Sequence, residues 1–116
     1  MRTFLTLTAL ALGTLAQSSR ATTRESAYAD GTVAIRTFQF APDTLRVKAG
    51  TRVVWTNGDE IEHTITSGTP EKTDGRFNGV VTKRAATFST VLGEAGAYRY
   101  YCDRHRFMNG TVIVTR

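Results

Sequence analysis

Four side chains stand out because their types and their spacing suit a metal site. Cys102, His105 and Met108 fall within seven residues, and His63 lies earlier, at the end of a turn. The chain contains one cysteine, two histidines and, besides Met1, one methionine, so the pattern leaves no residue of these types over. We therefore interpret these four side chains as one set of metal ligands.

The donor types in this set favour copper. Thiolate sulfur is soft and binds Cu(I), while imidazole nitrogen suits both oxidation states of copper. Two imidazoles and a thiolate form a trigonal site, which a long, weak bond from a thioether completes. Such a site changes little between oxidation states, so electron transfer requires little rearrangement. Zinc is the main rival, since Cys/His sites also hold zinc, but zinc prefers a harder fourth ligand or a second thiolate.

The spacing of the ligands also fits a single site. A lone cysteine cannot form an internal disulfide, so Cys102 is an intermolecular link, a free thiol or a metal ligand. Two residues on either side of His105 form a tight turn before Gly110, and a loop of that size can bend three side chains toward one point. His63 must then come from a neighbouring loop at the same end of the domain.

The elements that must position these side chains are typical of short β-strands between turns. Residues 51–56 are β-branched around Trp55, and residues 97–102 alternate so that Tyr100 and Cys102 share a face. No stretch after residue 30 shows sustained helical periodicity. Short strands at regular spacing with Gly-rich turns predict an antiparallel Greek-key β-sandwich.

Two stretches are less regular. Val33 and Ile35 alternate with polar neighbours, but Phe38 and Phe40 take the opposite phase, which predicts a bulge or a switch between sheets. Residues 67–78 show no firm pattern and are assigned to a loop. The following aromatic side chains are interpreted as core: Phe38, Phe40, Trp55, Phe88, Tyr98 and Tyr100.

The sequence resembles the cupredoxin family of type 1 blue copper proteins, and most of all its amicyanin and plastocyanin branch. Two segments carry the resemblance. The first is residues 54–57, Val-Trp-Thr-Asn, followed six residues later by His63; the second is residues 96–110, with the Cys-x2-His-x2-Met loop. The short loop is similar to that of amicyanin. The resemblance covers residues 33 to 114, and its two-part motif is highly specific.

The resemblance implies a role for each residue of the motif. His63 and His105 would bind one type 1 copper ion through ring nitrogens, Cys102 through its thiolate, and Met108 axially. Asn57 matches a position whose side chain ties the two ligand loops together near the cysteine, which orients ligands and tunes the metal. His105 would be the port for electrons.

The sequence departs from the family pattern near the site. Glu62 stands where proline often precedes the first histidine, and Arg104 and Arg106 replace prolines beside the second. We expect Glu62 to pair with Arg104 or Arg106 across the rim of the site. Tyr101, which points away from the face of its neighbours, is a candidate second contact for a partner.

The first residues have the layout of a secretory signal peptide. Arg2 supplies a positive charge, residues 4–15 are apolar and rich in Leu and Ala, and small residues follow. This run is shorter than the roughly 20 residues of a membrane span. We expect a signal peptide over residues 1–16, with its cleavage point not fixed, a flexible tail over 17–29 and a copper-binding domain over 30–116. The protein would be exported to the periplasm or another extracytoplasmic compartment.

The net charge and the number of metal ligands exclude several classes of function. A formal net charge of +5 without a Lys/Arg run or nucleic-acid motif argues against nucleic-acid binding and favours an acidic protein partner at most. Four protein ligands leave no open position for a substrate, so we do not expect an enzyme. The sequence predicts a monomeric carrier of single electrons between transient redox partners, with no stable membrane insertion after signal removal. The alternatives are a copper buffer, carrier or resistance protein without redox turnover, and a metal-free interaction module.

Overall fold

Nine β-strands in two sheets make up the described part of the chain. The computed structural model describes residue 13 and residues 31–116, so the predicted signal peptide and tail, apart from Gly13, lie outside it. No helix in this described part is long and apolar enough to cross a membrane. The strands are β1 (Thr32–Arg36), β2 (Gln39–Ala41), β3 (Thr44–Lys48), β4 (Thr51–Asn57), β5 (His63–Thr69), β6 (Lys72–Val81), β7 (Thr87–Leu92), β8 (Gly96–Tyr101) and β9 (Asn109–Thr115).

The two sheets confirm the predicted Greek-key β-sandwich. A four-stranded sheet has the order β2-β1-β4-β7, and a five-stranded sheet has the order β3-β9-β8-β5-β6. Most neighbouring strands are antiparallel, but β1 pairs with β4 and β3 pairs with β9 in parallel. Parallel neighbours require crossover connections, so strands distant in sequence become neighbours in each sheet.

The core lies between the two sheets because the strands alternate buried and exposed positions. In β3 and β9 the buried hydrophobic side chains are Leu45, Val47, Val112 and Val114. Fully burying a side chain of this size contributes about 1.5–3 kcal/mol. Trp55 of β4 is fully buried, and its ring centroid lies 5.4–5.7 Å from three further aromatic rings, those of Phe77, Phe88 and Tyr100.

The predicted bulge near Phe38 is wrong, because the chain makes a hairpin there. Arg36 pairs with Gln39, so Thr37 and Phe38 form a two-residue turn with φ values of 52° and 57°. Turns of this kind favour Asn-Gly, and each non-glycine residue in the left-handed region costs about 1–3 kcal/mol. Because the chain reverses here, the alternation of apolar residues starts anew in β2. The reversal also leaves Phe38 at 37% exposure rather than in the predicted core.

The predicted loop over residues 67–78 is also wrong, since most of it belongs to the β5–β6 hairpin. Strand β6 lies at the edge of its sheet, and residues 72–76 are all exposed. A solvated edge needs no apolar alternation. The usual sequence signal of a strand is therefore missing there.

Three connections meet at one end of the sandwich and position the chemical residues. Ile35 of β1 pairs with Asn57 of β4, so the β1–β2 turn lies beside the β4–β5 connection. Thr66 of β5 pairs antiparallel with Tyr101 of β8, which brings the end of β8 to the start of β5. The β8–β9 loop therefore faces the β4–β5 connection.

The packing between the sheets generates a stability prediction at Gly79. A Cβ atom at this position would overlap with the ring of Phe88, which packs on the core. We expect Gly79→Ala to lower the free energy of unfolding of the metal-free protein by about 1–3 kcal/mol, because the ring must shift. The measurement is urea denaturation followed by tryptophan fluorescence. Gly93→Ala is the control, because nothing lies within 4 Å of its Cβ position. Equal stability of the two variants would contradict the prediction.

Candidate metal centre

The side chains of His63, Cys102 and His105 converge at this end of the fold. Their ligand atoms all lie within 4.8 Å of one another. The Cys102 sulfur is 3.8 Å from Nδ1 of His63 and 3.7 Å from Nδ1 of His105. Bonds of about 2.0–2.3 Å from nitrogen and sulfur to one transition-metal ion would place the ligand atoms at such separations. The donor set and its spacing therefore fit one shared ion.

The two ends of the β8–β9 loop are joined by backbone hydrogen bonds. The amide of Cys102 donates to the carbonyl of Met108 over 3.1 Å, and the amide of Met108 donates to the carbonyl of His105 over 2.8 Å. These bonds confirm the predicted tight turn. Met108 is 2% exposed and belongs to the same buried cluster as Cys102. His63 and Cys102 are fully buried, whereas His105 is half-buried and faces the surface.

Asp59 is a functional residue that the sequence analysis missed. Its Oδ2 atom lies 2.8 Å from Nε2 of His63. Because a carboxylate only accepts hydrogen bonds, Nε2 carries the ring proton, and the Nδ1 lone pair is left free toward Cys102. The Asp59 side chain is only 15% exposed.

The environment of Asp59 favours its ionised form. Partial burial alone would raise the pKa of this carboxyl, but hydrogen bonds from the Phe38 amide, the His63 ring and the Thr37 amide lower the pKa below its ordinary value. A charged carboxylate at this point complements the positive charge that a bound metal adds to His63.

Thr64 joins the two ligand-bearing segments. Its backbone amide donates to the Cys102 sulfur over 3.3 Å, and its side-chain oxygen accepts a bond of 2.7 Å from the Asp103 amide. The first bond fixes the sulfur relative to His63, the neighbouring residue.

Asn57 performs a different task from the one that the resemblance implied. Its side-chain amide donates to the carbonyls of Ile61 and Val81, and its carbonyl oxygen accepts from the Asp59 amide. These bonds shape the β4–β5 connection and tie it to β6. The expectation that Asn57 joins the two ligand loops is therefore wrong, because the bonds that do so come from Thr64.

Two ion pairs lie at the rim of the site, and one of them was predicted from the sequence. Arg104 Nε lies 2.9 Å from Glu62 Oε1, which confirms one of the two expected partners, and Arg106 pairs with Asp103 at 3.1 Å. Pairs this exposed contribute little to stability. Tyr101, expected as a surface contact, is only 3% exposed. That expectation is wrong in this structure.

The fold and the site together define a cupredoxin: a two-sheet Greek-key sandwich with a His, Cys and His cluster at one end. Residues 29–115 match the copper binding proteins of the plastocyanin/azurin family. This chain belongs to that family.

Individual relatives agree with this assignment. Amicyanin of Paracoccus versutus is 30% identical over 82 residues, which cover 71% of this chain and 62% of that protein. Amicyanin of Paracoccus denitrificans is 31% identical over 88 residues, which cover 74% of this chain and 67% of that protein. The chain thus spans somewhat less than two thirds of the first relative's length.

Solved structures show the same fold. A purple cupredoxin from Nitrosopumilus maritimus superposes with a TM-score of 0.69 at 30% identity, covering 74% of this chain and 100% of that one. A reduced variant of amicyanin superposes with a TM-score of 0.65 at 30% identity, covering 77% of this chain and 87% of that one.

The Asp59 contact generates a prediction on metal affinity. Asp59→Asn keeps the size of the side chain but removes its charge, so we expect affinity for copper to fall about tenfold. The measurement is competition with a colorimetric copper chelator. Glu60→Gln is the matched control, since it makes the same charge change on an exposed neighbour that pairs with Arg84. Equal affinities of the two variants would show that the Asp59 charge is irrelevant.

Proposed function

We propose that this protein carries single electrons between protein partners through one type 1 copper ion held by His63, Cys102, His105 and Met108. The observation that carries the proposal is the buried cysteine sulfur with two Nδ1 atoms at 3.7 and 3.8 Å. The chemistry that the ion supplies when bound is a one-electron Cu(II)/Cu(I) couple.

The chain prepares its donor atoms before any metal is bound. The Thr64 amide donates a hydrogen bond to the Cys102 sulfur, and the Asp59 carboxylate accepts one from Nε2 of His63, which leaves Nδ1 of the neutral ring facing the sulfur. Met108, buried beside them, supplies the thioether that we assign as the weak axial ligand. The four ligands come from two short segments, one closed by backbone bonds and the other by bonds of the Asn57 side chain, so they have little freedom to rearrange when the charge of the site changes.

We assign the contact with redox partners to the surface around His105. Its ring is half-buried and lies 6.4 Å, between centroids, from the ring of Phe107, which is 69% exposed. The nearby charges of Glu62 and Asp103 are matched by Arg104 and Arg106. An apolar centre surrounded by charges that are already paired within the protein suits a small, short-lived contact with another protein.

We propose that residues 1–16 direct export, that residues 17–29 form a tail, and that residues 30–116 act in the periplasm or another extracytoplasmic compartment. The formal charge of +5 supports an acidic partner. A set of four protein ligands supports a carrier over an enzyme, because it leaves no position for a substrate. We also propose that the carrier is a monomer.

The decisive measurement is the visible spectrum of the Cu(II)-loaded protein together with its voltammetry. We expect an intense thiolate-to-copper band in the orange-red and a reversible one-electron couple, because the thiolate binds in a site that changes little between states. Cys102→Ser should abolish the band. A protein that binds copper in one oxidation state only, and releases it without cycling, would indicate copper handling instead of electron transfer.

The axial role of Met108 has its own test. Met108→Leu conserves volume in the core, so we expect copper to remain bound. Loss of the weak donor to the oxidised ion should raise the reduction potential, by about 59 mV for each tenfold change in relative affinity. Voltammetry of the variant and the wild type measures the shift. A colourless variant would contradict a weak axial role.

A further inference from the structure

The ring of Phe38 contacts both histidines of the metal centre. Its centroid lies 5.5 Å from that of His63 and 5.0 Å from that of His105, with interplanar angles of 88° and 86°. These are edge-to-face geometries, in which the edge of one aromatic ring meets the face of another. Phe38 is 37% exposed, so its ring lies between the two imidazoles and solvent. The ligand set assigned above does not include it.

The backbone that presents this ring is strained. Thr37 and Phe38 both adopt left-handed φ values in a turn whose relaxed sequence is Asn-Gly. A β-branched or bulky residue in this region is an outlier, and such strain persists only where the surroundings impose it. Contacts with residues outside the turn must therefore hold Phe38 in this conformation.

Those contacts come from Asp59. One carboxylate oxygen accepts a bond of 2.7 Å from the Thr37 amide, and the other accepts one of 3.0 Å from the Phe38 amide. The second oxygen also binds His63 Nε2 at 2.8 Å. A single carboxylate thus fastens the strained turn to a metal ligand. The position of the Phe38 ring and the orientation of the His63 ring are set together.

The other sides of the centre are closed by the protein core. His63, Cys102 and Met108 are at most 2% exposed, whereas His105 is half-buried and Phe38 is exposed, so the centre lies nearest to solvent on the side of His105 and Phe38. A groove of about 370 Å³ adjoins this side and is lined by Phe38, Phe107 and Met108 among others.

We propose that Phe38 is a positioning residue that holds both imidazoles in place and limits the exchange of copper between the site and solvent. This inference rests on the proposed function, since it assumes that the cluster binds copper. The exchange is a transfer of ligands without redox change: the copper ion leaves the thiolate, imidazoles and thioether as Cu(I) and is taken up by the donor atoms of an external chelator.

The test compares copper release from Cu(I)-loaded full-length variants to bathocuproine disulfonate, followed by the colour of the chelate. We expect Phe38→Ala to release copper about tenfold faster than the wild type. We also expect its Cu(II) spectrum to shift, because His105 loses an orienting contact. Ile61→Ala is the matched control: its side chain has similar exposure, 40%, in the adjoining connection, and it should leave both readouts unchanged.

A second variant and a metal-free measurement keep the test decisive if Phe38→Ala folds poorly. Phe38→Leu keeps the volume of an apolar cover but lacks the aromatic edge, so it should release copper at an intermediate rate. In the metal-free protein, NMR should show the ring protons of His63 and His105 shifted by Phe38→Leu and unaffected by Ile61→Ala.

The outcomes are distinct. Release rates and spectra of both Phe38 variants equal to those of the wild type would overturn the inference while leaving the proposed function intact. A wild-type protein without a thiolate-to-copper band would overturn the proposed function, and this inference with it. Fast release from Phe38→Ala together with wild-type behaviour of Ile61→Ala would support the inference.

Discussion

The constraint on which the rest of this structure depends is the approach of two imidazole nitrogens to one buried sulfur within 4 Å. The three side chains come from two segments that are 39 residues apart at their buried members, His63 and Cys102. Bringing these segments together costs conformational entropy. The burial of aromatic and aliphatic side chains between the two sheets offsets that cost. The Thr64 bonds, which join the two segments directly, then fix their separation.

The charges near the site act mainly through geometry. Asp59 is the important one because it is shielded and makes three hydrogen bonds, to two backbone amides and one ring nitrogen. The rim pairs are exposed and balanced, so they shape the surface with little effect on stability. A shielded charged side chain therefore orients its neighbours, whereas an exposed one mainly shapes the surface.

Much of this could be predicted from the sequence, and the reasons are local. Cys102, His105 and Met108 lie on one short loop, and the strands around Trp55 and Tyr100 alternate in the usual way, so the ligand loop and the sandwich were both accessible. The edge strand β6 could not be predicted, because its exposed residues show no alternation of apolar and polar types. The proposed role of Phe38 could not be predicted from the sequence either. It depends on a turn conformation imposed by Asp59, 21 residues away, and no pattern within the turn itself reports that contact.

The parallel pairing of β3 with β9 has a consequence for how the protein is made. Lys48 lies opposite Thr115, so β3 has no partner on that side until β9 has been synthesised. The loop from Cys102 to Met108 immediately precedes β9, and β8 and β9 hold its two ends. A nascent chain that lacks residues 109–115 therefore has its soft donors unassembled. Assembly of these donors therefore requires that β9 has paired with both β3 and β8.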